Sequence, residues 1–184
     1  MFCLSIDPTT QLRLLEERDA GELFALTNRN REYLRQWLPW LNSINSVEDT
    51  LAFIRSSLAQ FSANNGFQAG IWHEGNPVGV IGYHGIDWAN RVTSIGYWIG
   101  YEFQGRGIAT KACRALVDHA FKELKLNRVE VACATENKKS QGIPERLGFK
   151  QEGVARDAEW LYDHYVDHIL YATLAKDWAS KGDG

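Results

Sequence analysis

The sequence predicts a single α/β domain in which a mixed sheet of about seven strands carries helices on both faces. Three observations lead to this prediction. The first third of the chain has helical periodicity, residues 67–99 form short apolar runs separated by turn residues, and residues 91–134 contain a strand, a long helix and another strand. A strand–helix–strand unit places its strands in parallel, whereas short runs joined by tight turns are typical of antiparallel pairs. We therefore expect an antiparallel sheet in which only the fourth and fifth strands run parallel.

The first third of the chain is predicted to hold one short strand, residues 11–15, followed by helices. Capping and acidic residues precede apolar positions that recur through residues 20–26, which predicts a helix. A helical turn in residues 33–41 should stop near Pro39, because proline lacks the backbone donor that a continuing helix needs. Ser46 is then expected to cap a second amphipathic helix, which ends near an Asn-Asn-Gly sequence.

The middle of the chain predicts the antiparallel strands and the parallel pair. Apolar runs at residues 67–73, 78–86 and 91–99 are separated by turn-forming sequences. Residues 107–124 predict a long amphipathic helix, because apolar side chains recur on one face and charged side chains on the other. Residues 128–134 then form the fifth strand, which completes the strand–helix–strand unit.

The last part of the chain is predicted to close the sheet. A short helix, residues 138–147, should end at Gly148, since glycine is favoured just beyond a helix C-terminus. Two strands at residues 149–155 and 165–174 follow, and we expect a polar tail after them.

Composition argues against several classes of function. The 184 residues carry a formal net charge of −3 with a pI of about 6.0, whereas general nucleic-acid binders have a basic excess. Cys3, Cys113 and Cys133 lack CxxC spacing and the histidines lack metal-ligand spacing, so neither a disulfide framework nor a metal site is expected. No stretch approaches the roughly 20 apolar residues of a membrane span. We expect a soluble, unprocessed, cytoplasmic protein that binds neither membranes nor nucleic acid.

The turn at residues 104–110, Gln-Gly-Arg-Gly-Ile-Ala-Thr, joins a strand to the longest predicted helix. A helix start presents unpaired N–H groups, and glycines let a phosphate approach the backbone, so this turn predicts an anion cradle. A nucleoside triphosphate would need a Walker A spacing, which is absent. A dinucleotide would need a small residue in place of Thr110, although Glu136 follows the next strand as a ribose-binding acid would. The third ligand class is the pyrophosphate of coenzyme A.

Motifs around this turn decide between the ligands. Gln104, Gly107 and Ala109 match the pattern [RQ]-x-x-G-x-[GA], an Asn-x-x-Ser turn follows at residues 137–140, and a Leu-Gly-Phe sequence ends the next helix at residues 147–149. Together these motifs, in this order, resemble the GNAT superfamily of N-acetyltransferases.

Further sequences are similar to one branch of that superfamily, the bacterial ribosomal-protein N-terminal acetyltransferases. They lie at residues 95–99, 143–149 and 167–171. The resemblance covers residues 10–178, so residues 1–184 are expected to form one acetyltransferase domain.

The resemblance implies that acetyl-CoA is the acetyl donor and that its pantetheine arm enters where the fourth and fifth strands splay apart. A backbone N–H at Trp98 or Ile99 would hold the thioester carbonyl. The residues that the resemblance places on the cofactor are Tyr97, Trp98, Ile99, Gln104, Gly105, Arg106, Gly107, Ile108, Ala109, Thr110, Asn137 and Ser140.

Acyl transfer to an amine needs a base, stabilisation of the carbonyl oxygen and a donor for the leaving thiolate. The resemblance assigns the base, acting through water, to Glu159 and the contact with the sulfur to Ser140. Each residue also has a simpler interpretation: Glu159 as a solvated hairpin charge, and Ser140 as part of a helix cap with Asn137. Asp87 and Glu102 are the other candidates for the base.

The acceptor side is predicted from aromatic and strand-end residues. An aromatic loop with Trp37 and Trp40 should cover the acceptor, and His84 and Asp87 should contact it. The resemblance favours the α-amine of a protein N-terminus, such as that of a ribosomal protein, attacking directly in a ternary complex. Small amines, amino sugars and polyamines are alternatives, as is a non-catalytic acyl-CoA sensor. Whether the chain forms a homodimer is left open.

Overall fold

The computed structural model of the chain describes residues 2–179. The strands of this region are β1 (Cys3–Asp7), β2 (Thr10–Leu14), β3 (Gln68–His73), β4 (Asn76–Asp87), β5 (Val92–Ile99), β6 (Arg128–Ala134), β7 (Lys150–Leu161) and β8 (His164–Leu174). They form one sheet in the order β1-β2-β3-β4-β5-β6-β8-β7. Among these strands only β5 and β6 pair in parallel, which confirms the predicted fold class.

Helices pack on both faces of the sheet. They are α1 (Ala20–Arg29), α2 (Arg31–Arg35), α3 (Val47–Ser62), α4 (Ile108–Lys122), α5 (Lys138–Arg146) and α6 (Ala175–Ala179), with 3-10 turns at Glu17–Asp19, Leu41–Ser43 and Tyr101–Phe103. Within residues 2–179, no helix is both long enough and apolar enough to cross a membrane.

Strand alternation divides the core into two layers. On one face, here called the α4 face, Leu116 of α4 packs in one buried cluster with Ile95 and Val129 of the sheet. On the other, the α1 face, Leu23 of α1 packs with Val80 of the sheet. The fold therefore places α4 and α1 on opposite sides of the same strands.

The edge strand β1 was not predicted. It pairs only with β2, across a turn in which Asp7 Oδ1 accepts from Thr9 N at 3.0 Å. An ion pair of 2.9 Å between Asp7 and Lys111 also ties it to α4. That contact joins residues far apart in the sequence, so local periodicity does not reveal it.

The predicted polar tail is wrong over residues 175–179, because α6 follows β8 directly; the rest of that prediction, residues 180–184, lies outside the described residues. Trp178 is buried there, with its ring centroid 6.3 Å from those of Phe121 and Phe149. Its indole Nε1 donates to Asp118 Oδ1 at 2.9 Å. The last helix is also tied to the sheet by the Ala175 N–H, which donates to Asn127 O at 3.0 Å, and by an ion pair between Lys150 and Asp177.

The parallel pair is joined over only part of its length. Residues 92–94 of β5 pair with residues 128–130 of β6, whereas β5 continues to Ile99 and β6 to Ala134. Each strand stays paired with its other neighbour over this region. Beyond Ser94 the sheet therefore contains a gap, as the resemblance implied.

The N-terminus of α3 provides a test of the local structure. Ser46 Oγ accepts from Asp49 N at 3.2 Å, and Asp49 Oδ2 accepts from Ser46 N at 3.0 Å. Replacing Ser46 with alanine should lower the free energy of unfolding by about 1 kcal/mol, because one N–H at the helix start loses its acceptor. Urea denaturation measures this. Ser56→Ala, at an exposed position inside α3, should cause no loss, and equal stability of the two variants would contradict the cap.

Candidate active site

The turn before α4 has the geometry of an anion cradle. Gly105 and Gly107 adopt φ values of +72° and +75°, a left-handed conformation that favours glycine. Gly107 is the N-cap of α4, and its carbonyl accepts from Lys111 N at 3.0 Å. The backbone N–H groups of residues 108–110 precede this first helical bond and have no partner within the helix. A Cβ at Gly105 or Gly107 would meet no atom within 4 Å, so the backbone faces open space.

A cleft of about 760 Å³ extends from this cradle along the gap between β5 and β6. It is lined by all of the residues predicted to contact the cofactor except Arg106. The Arg106 guanidinium instead lies 5.6 Å from the centroid of the Phe103 ring. The structure thus brings the predicted set together, and contact of its members with a cofactor stays a prediction.

Two cations beside the cradle were missed by the sequence analysis. Lys139 Nζ donates to Gln104 Oε1 at 3.0 Å, and an Arg146 guanidinium nitrogen donates to Thr110 Oγ1 at 2.9 Å. A Cβ at Gly142 would lie 2.8 Å from the same guanidinium group, so glycine leaves room for that side chain. The sequence signal was the spacing of seven residues, which places Lys139 and Arg146 on one face of α5.

These features fit the pyrophosphate of coenzyme A. Partnerless N–H groups, a left-handed glycine with open space above it and two nearby cations all favour a bound diphosphate. Beyond the cradle, the gap in the sheet offers unpaired backbone groups to an extended arm. Gly100 N donates to Val78 O of β4 at 2.8 Å. Because N–H groups alternate between the edges of a strand, the Ile99 N–H points towards the gap rather than towards β4.

A hydrogen bond from Tyr97 bridges this gap. The Tyr97 hydroxyl, on β5, donates to the Ser140 carbonyl of α5 at 3.0 Å. That carbonyl would normally accept from the residue four positions later, but Pro144 has no N–H. The helix continues through Pro144 to Arg146, and the tyrosine replaces the missing donor.

The Ser140 hydroxyl does not serve the helix cap. Asn137 Oδ1 caps α5 by accepting from the Ser140 backbone N at 3.2 Å. The Ser140 hydroxyl lies instead 3.4 Å from the Tyr97 hydroxyl and 3.4 Å from Cys133 Sγ. Burial raises the pKa of the Cys133 thiol and raises that of Cys113 to about 12, so neither cysteine is suited to nucleophilic attack.

Ionisable groups on the α1 face meet at the inner end of the gap. His84 Nδ1 lies 3.0 Å from Ser94 Oγ, and the imidazole covers Gly96, where a Cβ would be 2.3 Å from His84 Nε2. Desolvation lowers the pKa of His84, although the charge of Glu159 opposes this shift. Gly96 is therefore the position that admits the histidine ring.

Glu159 lies within β7, in the hairpin that β7 forms with β8. The strand continues past its predicted end at residue 155 to Leu161. Glu159 pairs with Val166 of β8, and its carboxylate lies 3.8 Å from His168 Nε2. Its side chain is 29% exposed, so the carboxylate is shielded yet reachable by water.

The aromatic loop is fixed over the cleft by the β7–β8 turn. The Tyr162 hydroxyl donates to Leu38 O at 2.5 Å and accepts from Leu41 N at 3.2 Å, and the Arg35 guanidinium lies 3.8 Å from its ring centroid. Trp37 lines the cleft together with Tyr33. The loop therefore forms a fixed cover.

Three other predicted residues lie elsewhere. Trp40 is outside the lining of the cleft, with its ring centroid 6.1 Å from that of Trp98. Asp87 is the last residue of β4, where hydrogen bonds from the side chain and backbone of Asn90 lower its pKa. Glu102 forms an ion pair of 2.9 Å with Arg29. Their positions do not support an acceptor contact for Asp87 or a base role for Asp87 or Glu102, because local partners already occupy both carboxylates.

Within residues 2–179, no three histidine, cysteine or carboxylate side chains are grouped so that they could hold a metal ion.

Comparison with known proteins agrees with this geometry. Residues 10–150 match the model of the acetyltransferase (GNAT) domain. The chain is 38% identical to the YdaF protein of Bacillus subtilis (strain 168), over 97% of this chain and 98% of that protein. It is 30% identical to the ribosomal-protein-serine acetyltransferase of Escherichia coli (strain K12), over 93% of this chain and 96% of that protein.

A solved structure is also similar over its whole length. RimL, a ribosomal L7/L12 α-N-protein acetyltransferase in complex with coenzyme A, has a TM-score of 0.91 and 26% identity, covering 94% of this chain and 98% of that chain. The chain therefore belongs to the GNAT superfamily and is an acetyl-CoA-dependent N-acetyltransferase.

Proposed function

We propose that the enzyme acetylates the α-amine of a protein N-terminus, such as that of a ribosomal protein, by direct attack in a ternary complex. The gap between β5 and β6 carries this proposal, because it opens beyond Ser94 and so runs beside Gly96, which His84 covers on the α1 face. The lining of the large cleft includes the anion cradle and residues 97–99, but it does not include His84, Gly96 or Glu159. Relatives that act on ribosomal proteins support a protein acceptor. We place the reaction in the cytoplasm, which agrees with the free thiols of all three cysteines.

Acetyl-CoA supplies an acyl group that is already activated as a thioester. Removal of the amine proton is then the first task of the protein, and we assign it to Glu159, acting through water. The lowered pKa of His84 keeps its imidazole neutral near pH 7, so one ring nitrogen is a hydrogen-bond acceptor. With Nδ1 beside Ser94, Nε2 lies over Gly96, where it would orient the amine.

The second task of the protein is to stabilise the negative charge that develops on the carbonyl oxygen and on the sulfur of the thioester. The Ile99 N–H, which points into the gap, would donate to the carbonyl oxygen. Burial raises the pKa of Tyr97 well above its ordinary value, so Tyr97 keeps its proton and holds α5 in place. The Ser140 hydroxyl is left to donate to the thiolate, as a hydrogen-bond donor more than as an acid.

The acceptor class is tested with acetyl-CoA and a panel of acceptors, following release of free thiol. Peptides with a free N-terminal serine or alanine should support release, and mass spectrometry should locate the acetyl group on the α-amine. The same peptides with a blocked N-terminus serve as controls. Release with amino sugars or polyamines alone would contradict the acceptor class, and cofactor binding without any release would contradict turnover.

The cradle is tested with Gly107→Val. The side chain would enter the space above the helix start, and loss of a hydrogen bond to a charged phosphate should weaken coenzyme A binding about tenfold or more. Calorimetry measures this dissociation constant. Gly75→Val is the matched control, since Gly75 has a φ of +81° in a distant turn with open space around it. Both variants should lose a similar amount of stability. Equal affinities of the two variants for coenzyme A would contradict the assignment of the turn as the pyrophosphate site.

The base is tested with Glu159→Gln and a pH profile. An α-amine has a pKa of about 7.7–8.0, so it arrives mostly protonated at pH 7 and mostly deprotonated at pH 9. The variant should therefore lose about a hundredfold in kcat/KM at pH 7 and less at pH 9. Glu152→Gln, which alters a glutamate of the same strand that is paired with Arg128, should keep the wild-type profile. A pH-independent loss would remove Glu159 from proton transfer.

A further inference from the structure

A second, smaller cavity lies on the α1 face beside the acceptor groups. Its volume is about 280 Å³. It is walled mainly by apolar side chains from α1, α3, the aromatic loop and β5, namely Leu23, Trp40, Ile44, Phe53 and Trp98. Trp98 also lines the large cleft, so the two cavities share a wall.

The chemistry of this cavity favours an apolar occupant. Its hydroxyl groups belong to Thr27 and Thr50, which donate to the carbonyls of Leu23 and Ser46 within their own helices, at 3.0 and 3.5 Å. A charged or strongly polar group placed here would lose hydrogen bonds to water and find few replacements. An aliphatic or aromatic side chain would instead remove the indole rings of Trp40 and Trp98 from water.

The position of the cavity points to the acceptor as the source of that side chain. Ser94, Gly96 and Trp98 lie on the same face of β5, because side chains of a strand alternate between its faces. Gly96 is where His84 would orient the amine, and Trp98 is the next residue on that face, about 7 Å farther along the strand. Alternate residues of an extended peptide have the same spacing.

We propose that this cavity binds an apolar side chain at the second or third residue of the acceptor, and so selects among protein N-termini. The inference rests on the proposed function, because it assumes that a peptide presents its amine at Gly96. A leucine-sized or phenylalanine-sized side chain is the expected occupant. An acidic or amide side chain at the same position should be disfavoured.

The experiment uses short peptides that begin with serine and contain alanine elsewhere. One leucine is moved through positions two, three and four, and aspartate replaces it in a parallel series. The wild-type enzyme should prefer leucine over alanine at position two or three by about tenfold in kcat/KM, the range that apolar pockets reach for a few methylene groups.

Two variants show whether the cavity is the cause. Ile44→Trp fills it, so the leucine and alanine peptides should become equal substrates. Phe53→Ala removes one wall and should reduce the preference at least threefold. Phe61→Ala is the matched control, since both phenylalanines are exposed on α3, by 37% and 44%, but only Phe53 lines the cavity.

A binding measurement separates this inference from the proposed function. Calorimetry of the same peptides with the coenzyme A-saturated enzyme should show tighter binding of the leucine peptide, lost in Ile44→Trp. Equal affinities for leucine and alanine peptides, or a preference that survives Ile44→Trp, would overturn the cavity assignment. Absence of thiol release with every peptide would overturn the acceptor class alone, because the leucine-dependent affinity would still identify the cavity.

Discussion

The hydrogen bond from the Tyr97 hydroxyl to the Ser140 carbonyl is the contact on which the site depends. A gap inside a sheet leaves backbone groups unpaired, so neighbouring elements must hold its edges in place. On the sides away from the gap, β4 pairs with β5 and β8 pairs with β6. On the side of the gap, Tyr97 ties β5 to α5. Pro144 makes this contact available, because it leaves the Ser140 carbonyl without its helical donor. The same bond uses the Tyr97 proton, so the Ser140 hydroxyl, 3.4 Å from the Tyr97 hydroxyl, is the group that we propose as the donor to the thiolate.

The remaining parts of the site are arranged along this gap. The start of α4 and the two cations of α5 lie at its outer end, where negative charge is favoured. His84 and Glu159 lie at its inner end on the opposite face, where an amine would arrive. The long β7 strand contributes to the site in two ways. It places Glu159 near His84, and its turn to β8 holds the aromatic loop through Tyr162. The proposed sites of the acetyl donor and of the amine acceptor thereby lie on different faces of one sheet.

The sequence was informative where local chemistry decides the structure. The period of α4, the Ser46 cap and the glycine turn all depend on near neighbours, and the structure contains each of them. The missed features depend on distant partners: β1 on Lys111, α6 on the packing of Trp178 against Phe121 and Phe149, and Arg146 on Thr110. Glu102 was an open candidate for the same reason, because its partner Arg29 is distant in the sequence. Asp87 has the local partner Asn90, but only the structure shows that the Asn90 side chain and backbone donate to its carboxylate.

The contact between His84 and Gly96 limits how this sequence can change over evolution. Because the imidazole occupies the space of a Cβ at position 96, any side chain there would displace the ring from the strand. This position of the His84 ring therefore requires glycine at position 96, and in a relative with a larger residue at position 96 the group at position 84 must lie elsewhere. The two positions are expected to covary among relatives.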